Sequence, residues 1–212
     1  MKRVTALLLA AMMIITTGLI TPAMAAEDDV PETYSNAYVV MDAKTGQVLL
    51  QKNMYEKEYP ASITKILTTA LGLTYAKPED RITVSQETVS DVWKWGETTH
   101  LALEPGEIIT LKDALYGAMV ESANDCANAI AQAVSGSLTD FAELMNQQVA
   151  ALGLSDTHFT NAHGLPDKDH YTTAYDMARI TRWAMTVPGF SELFGATSYT
   201  MQPTNKQEQE RL

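Results

Sequence analysis

The sequence predicts an α/β domain: an antiparallel sheet, begun by a hairpin near the N-terminus, packed on helices with a helical lobe. Three observations predict it. Ala37-Tyr38-Val39-Val40-Met41 and Gln47-Val48-Leu49-Leu50-Gln51 are β-rich runs joined by the turn chemistry of Asp42-Ala43-Lys44-Thr45-Gly46, a β-hairpin pattern. Ala61 to Tyr75 is largely apolar and is entered through Pro60, and proline near the first helical position is a start signal. From Leu111 onward, segments of helical spacing with caps follow one another. A two-stranded hairpin is not stable alone, so the sheet is expected to need further strands.

The elements follow in order. Glu27, Asp28, Asp29 and Glu32 make residues 26–34 an acidic, flexible lead-in, and the folded domain is expected from residue 35. In the 61–75 segment, Ile63, Ile66, Leu67, Ala70, Leu71 and Leu73 leave little polar face, which predicts a helix buried nearly all round. Pro78 marks its end. Residues 79–110 are mixed: Arg81 to Val84 suits a short strand, Trp93, Trp95 and Gly96 a loop, and Glu104-Pro105-Gly106 a turn. Helices are expected over Leu111–Met119 and Asp125–Val134. Ser137 caps the next, with Phe141, Leu144, Met145, Val149 and Leu152 at helical spacing, and Gly153 closes it. Thr172 or Thr173 opens another, to about Val187, and Pro188 starts a short turn through Phe194. Tyr199-Thr200-Met201 suits a last short strand.

Composition narrows the function. The 212 residues carry a formal net charge of −11, which argues against a nucleic-acid partner held through its phosphates. Residues 1–25 read as a signal peptide. Lys2 and Arg3 precede an apolar run from Val4 to Ile20, and Ala23-Met24-Ala25 has the small-x-small pattern of a cleavage site. An uncleaved anchor helix is the alternative, with a run near the lower limit for spanning a membrane. The protein is therefore expected to work outside the cytoplasm. A single cysteine, Cys126, fits an exported protein that avoids mispairing, and excludes an internal disulfide framework.

Two short constellations carry chemistry. Ser62-Ile63-Thr64-Lys65 puts a hydroxyl and an amine one helical turn apart, on one face. A helix N-terminus offers free N–H groups to a developing oxyanion, and a desolvated lysine moves toward neutrality, where it can take the serine proton. Alone, the spacing is common, and a capping serine followed by a surface lysine explains it as well. Ser122-Ala123-Asn124 lies between two helices and offers a hydroxyl for proton relay and an amide for a substrate carbonyl. Alone, it reads equally well as a helix cap.

The two in this order are more specific, because S-x-x-K followed by S-x-N marks penicillin-interacting serine enzymes. The sequence resembles the D-alanyl-D-alanine carboxypeptidases, the low-molecular-mass penicillin-binding proteins. The likeness includes Asp42, Thr45 and Gly46 of the hairpin turn, Tyr59 to Lys65, and Met119 to Asp125. It continues through Met145-Asn146, Leu152-Gly153, Thr157 to Phe159, Asn161-Ala162-His163-Gly164-Leu165 and Thr172 to Ala178. The resemblance implies a β-lactamase/transpeptidase-like fold and a serine-type D-Ala-D-Ala carboxypeptidase acting on peptidoglycan stem peptides. It implies Ser62 as nucleophile, Lys65 as general base, Ser122 as proton shuttle and Asn124 as holder of the substrate amide. β-Lactams would acylate Ser62 as inhibitors, and no metal or cofactor is implied.

The family's third motif, Lys-Thr-Gly, follows the helical region. Lys44-Thr45-Gly46 precedes Ser62 and reads as the hairpin turn instead. Residues 35–212 are accordingly expected to be the N-terminal portion of the catalytic domain, cut before that motif and before any C-terminal membrane anchor. A non-catalytic wall-binding or regulatory remnant of the family is the alternative. A β-lactam hydrolase of the class A type should carry a Glu-x-x-Leu-Asn loop, and none occurs. His100, His158, His163 and His170 match no metal-ligand spacing, and nothing marks Glu121 as a catalytic acid.

Overall fold

The hairpin forms where its pattern places it. β1 (Tyr38–Met41) runs antiparallel to β2 (Val48–Lys52), with Val40 opposite Leu50. One side chain organises the turn: Asp42 Oδ1 accepts from the Lys44 and Thr45 amides and from Thr45 Oγ1. Gly46 completes it at a φ of +78°, which glycine adopts without strain. The computed structural model describes residues 33–211, so the expected signal peptide over 1–25 and residues 26–32 of the lead-in lie outside the described residues.

α1 (Thr64–Tyr75) follows a 3₁₀ turn at Ala61–Ile63. It is the central helix, with Leu67, Ala70 and Leu71 fully buried. Thr68 and Thr69 are buried as well, and each finds a backbone acceptor. Thr69 Oγ1 donates to Lys65 O at 2.7 Å, and Thr68 Oγ1 to Ala162 O at 2.6 Å. Ile63 departs from the expected all-round burial. It sits before the helix proper and stays 48% exposed.

Residues 79–110 hold more structure than their composition suggests. β3 (Arg81–Thr83) pairs antiparallel with β4 (Ile108–Thr110), Ile82 opposite Ile109. This pair does not extend the hairpin; among the described residues the two sheets are separate and two-stranded. Between its strands lies α2 (Gln86–Trp93), capped by Ser85, whose side chain accepts from the Thr88 amide. Trp93 is therefore the last residue of a helix rather than part of a loop. It is 49% exposed, and Trp95, just beyond, 43%.

The remaining helices are α3 (Leu111–Val120), α4 (Asn124–Ser135), α5 (Leu138–Ala151), α6 (Ala174–Ala184) and α7 (Phe190–Phe194). Thr110 and Asp113 form a capping box at α3, and Ser137 and Thr173 cap α5 and α6 as their sequence positions suggest. α1 packs against α3, α4 and α6 around Leu67, Leu71, Leu115, Ile130 and Ile180. Tyr199–Met201 forms no strand; Met201 makes a lone bridge with Arg211. Arg211 also donates to Leu101 O and pairs with the buried Glu107 carboxylate.

Candidate active site

The site is assembled at the N-terminal end of α1. Pro60 holds φ at −69°, and Ala61 takes a strained φ of +48°, which swings the chain into the 3₁₀ turn bearing Ser62. Ser62 is exposed at the rim, while Lys65, in the first turn of α1, is only 2% exposed. Their side chains meet, with Lys65 Nζ 3.2 Å from Ser62 Oγ. Burial pushes the Lys65 amine down to about 8, with the Asp125 carboxylate working in the opposite direction.

Lys65 Nζ has four oxygen neighbours. Asn124 Oδ1 lies at 2.7 Å, the His163 carbonyl oxygen at 2.9 Å, Ser62 Oγ at 3.2 Å and Ser122 Oγ at 3.4 Å. The first two can only accept hydrogen bonds. A neutral amine has two N–H bonds and one lone pair, so the two acceptors consume both hydrogens. The lone pair is then left to the two hydroxyls. The geometry therefore aims the basic electron pair at the serines without needing a further group.

Each partner is held by a separate device. Ser122 sits in the three-residue link between α3 and α4 at a φ of +58°, uncommon for a residue with a side chain. It does not cap α4; Ala123 occupies that position and Asn124 is the first helical residue. The Asn124 amide donates to Thr99 O. The buried Asp125 carboxylate accepts from the amides of Leu101 and Leu103. These bonds lay residues 99–103 across the start of α4, and Thr98 and Thr99 form one wall of a cleft of about 290 Å³. Ser62, Asn124, Tyr59, Glu97, Thr98 and Leu165 are among the residues lining it.

The opposite wall is the loop Asn161-Ala162-His163-Gly164-Leu165. Asn161 Oδ1 accepts from the amides of His163 and Gly164, and its Nδ2 donates to Leu165 O. Gly164 lies directly against the Ala61 carbonyl, where any Cβ would overlap that backbone, and it has a φ of +92°. The loop and the serine turn are thus packed backbone to backbone.

All four residues singled out by spacing, Ser62, Lys65, Ser122 and Asn124, gather around one nitrogen. Lys44-Thr45-Gly46 does not line the cleft; Arg182 holds that turn by donating to Ala43 O and Lys44 O. The histidines have other partners. His170 accepts from the Thr160 amide at Nδ1 and donates from Nε2 to Thr64 Oγ1, and burial pushes it down to about 4. Among the described residues no three His, Cys, Asp or Glu side chains gather as metal ligands. Sequence reasoning missed the His163 carbonyl and the Thr98–Thr99 wall. A backbone oxygen has no residue-type signal, so only the length of the Asn161–Leu165 match pointed to that loop.

A family model described as D-alanyl-D-alanine carboxypeptidase, Peptidase_S11, matches residues 23–210. The D-alanyl-D-alanine carboxypeptidase DacF of Bacillus subtilis is 33% identical over 97% of this chain and 54% of its own. The chain spans about half the length of the curated relatives it matches, 54% and 49% of the first two. Penicillin binding protein 6B from Escherichia coli superposes with a TM-score of 0.78 at 29% identity, over 89% of this chain and 61% of that one. A serine-to-alanine variant of the Streptomyces K15 DD-transpeptidase gives 0.77 at 26%, over 82% and 70%.

Proposed function

Because the chain belongs to the D-alanyl-D-alanine carboxypeptidase family, we propose that it serves as a serine-type D-Ala-D-Ala carboxypeptidase on peptidoglycan stem peptides. The observation that carries this is the Lys65 amine, buried, depressed to about 8 and 3.2 Å from Ser62 Oγ. Lys65, neutral, takes the Ser62 proton as Oγ adds to the carbonyl of the penultimate D-alanine. The Ser62 amide, among the N–H groups before α1, faces the oxyanion. As the intermediate collapses, the C–N bond breaks and the terminal D-alanine leaves as an amine, taking a proton relayed from Lys65 through Ser122. Asn124 holds the substrate amide. Water then adds to the ester, Ser62 recovers its proton, and the shortened peptide leaves. A β-lactam opens its ring by the same addition, but its leaving amine stays tethered and the ester persists.

Export is part of the proposal and rests on residues 1–25 as a signal peptide. The folded part from residue 35 is taken as the N-terminal portion of the catalytic domain. Among the described residues no helix is long and apolar enough to cross a membrane. One observation favours the remnant reading instead: this chain's own Lys-Thr-Gly triplet forms a hairpin turn away from the cleft. Chromatographic assay of free alanine separates the two. The enzyme reading predicts release from a peptide ending in D-Ala-D-Ala and none from its L-Ala-L-Ala counterpart. A folded chain that binds the peptide and releases nothing would establish the remnant.

A further inference from the structure

The His163 carbonyl orients Lys65, and the His163 imidazole is itself tethered. Its Nε2 lies 3.0 Å from Asp91 Oδ2, and its Nδ1 accepts from the Leu165 amide at 3.0 Å. With Nδ1 committed as acceptor, Nε2 carries the hydrogen and donates it to Asp91. The ring is neutral in this arrangement. A second proton, on Nδ1, would face the Leu165 N–H and break the loop's own bond. The side chain is 2% exposed.

Asp91 is well placed to hold it. It lies on α2, and the same Oδ2 also accepts from Asn128 Nδ2 of α4 at 3.0 Å, while Oδ1 accepts from Lys94 Nζ at 2.6 Å. The chain of contacts is continuous: α4, Asn128, Asp91, His163, and then the peptide carbonyl on Lys65 Nζ. We infer that Asp91 is a positioning residue, acting through His163 to fix the carbonyl that directs the Lys65 lone pair toward Ser62. This rests on the reading of Ser62 and Lys65 as nucleophile and base.

The electrostatics agree. The bond from His163 holds the Asp91 carboxyl well below the usual carboxylate range. Burial lowers His163, with Asp91 opposing and Lys65 and Lys94 assisting; His170 also lies near enough to be affected by His163. Asp125 and Cys126 act on Lys65 from α4. Asp91 thus reaches Lys65 through the loop. Releasing the loop admits water to the amine, and because burial is the largest cause of its depression, the Lys65 pKa would rise toward 10.5.

Two readouts test this. The first needs no variant: ¹⁵N NMR of the imidazoles in the whole chain. A neutral Nε2–H tautomer at His163 at neutral pH is expected; an Nδ1–H tautomer or an imidazolium overturns the tether. The second is the ¹³C titration of Lys65 together with acylation by benzylpenicillin. Asp91→Ala is expected to raise the Lys65 pKa by more than about half a unit. Acylation at neutral pH should slow by about 10–100-fold, the cost of a misplaced reacting group. Asp91→Asn, which keeps an oxygen for Nε2–H, should retain most of both. A folded Asp91→Ala with an unchanged Lys65 titration overturns the inference. If the wild-type chain forms no penicillin adduct, the enzyme reading falls, while the two titrations still decide the role of Asp91.

Discussion

Replacing Lys65 by alanine is expected to slow acylation of Ser62 by about 10²–10⁴-fold, the usual contribution of a positioned general base. The effect should depend on pH in one direction. In the proposed mechanism Lys65 works as the neutral amine, so wild-type acylation should climb as pH rises to about 8 and then level off. Lys65→Ala should lose that limb along with the rate. Stopped-flow measurement with a chromogenic β-lactam gives both, and a wild-type rate independent of pH between 6 and 9 would move the base elsewhere.

The same burial has a stability consequence of opposite character. The folded state lowers Lys65 from 10.5 to about 8, so it disfavours the charged form. Between those two values the unfolded chain binds more protons than the folded one, and stability from this group rises with pH across that window. Below it, holding the buried ammonium costs about 3 kcal/mol. The fold tolerates this cost because Asn124 Oδ1 and the His163 carbonyl accept from the ammonium as readily as from the amine.

Gly164→Ala is expected to destabilise the chain by about 3 kcal/mol and to abolish acylation. Two costs combine. The φ of +92° is a conformation that L side chains rarely adopt, and the new Cβ would overlap the Ala61 carbonyl, a backbone group that cannot rotate away. Relief requires the loop and the Ser62 turn to separate. That movement withdraws the His163 carbonyl from Lys65 and shifts Ser62 together. Gly153 makes a control, because its φ of +71° carries the same backbone preference with nothing within 4 Å of a new Cβ. Chemical denaturation should rank Gly164→Ala well below Gly153→Ala, and only the former should lose acylation. Equal losses at the two positions would show that the close approach at Ala61 is unimportant.

The side chains that meet at Lys65 were legible because two short spacings, in that order, mark a known class of serine enzyme; the His163 carbonyl was not. Ser62 and Lys65 are neighbours through one helical turn, and Ser122 and Asn124 through one tight link. What brings those pairs together is long-range and was not legible. The Thr99 carbonyl, the Asp125 carboxylate and the Asp91–His163 bond act on backbone or across distant elements. The fold divides in the same way. α1, α3, α4, α5 and α6 announce themselves through caps and apolar spacing. α2 does not, because Val89 and Val92 are its only buried large apolar residues. β3 was legible in Arg81 to Val84, but β4 is three residues long, too short for alternation to register, and the pairing of the two depends on the intervening α2 and turn. Ser122 looked like a cap because serine caps helices well, but Ala123 takes that position, and Ser122, at a φ of +58°, places its Oγ 3.4 Å from Lys65 Nζ.

Ser62 is proposed as the nucleophile of a site already assembled in this chain. Intact mass spectrometry of the folded protein after incubation with benzylpenicillin tests it most directly, with Ser62→Ala beside it. One covalent adduct of the penicillin's mass is expected on the wild-type chain and none on Ser62→Ala. An adduct that persists in Ser62→Ala, or a folded wild-type chain that never gains one, would contradict it.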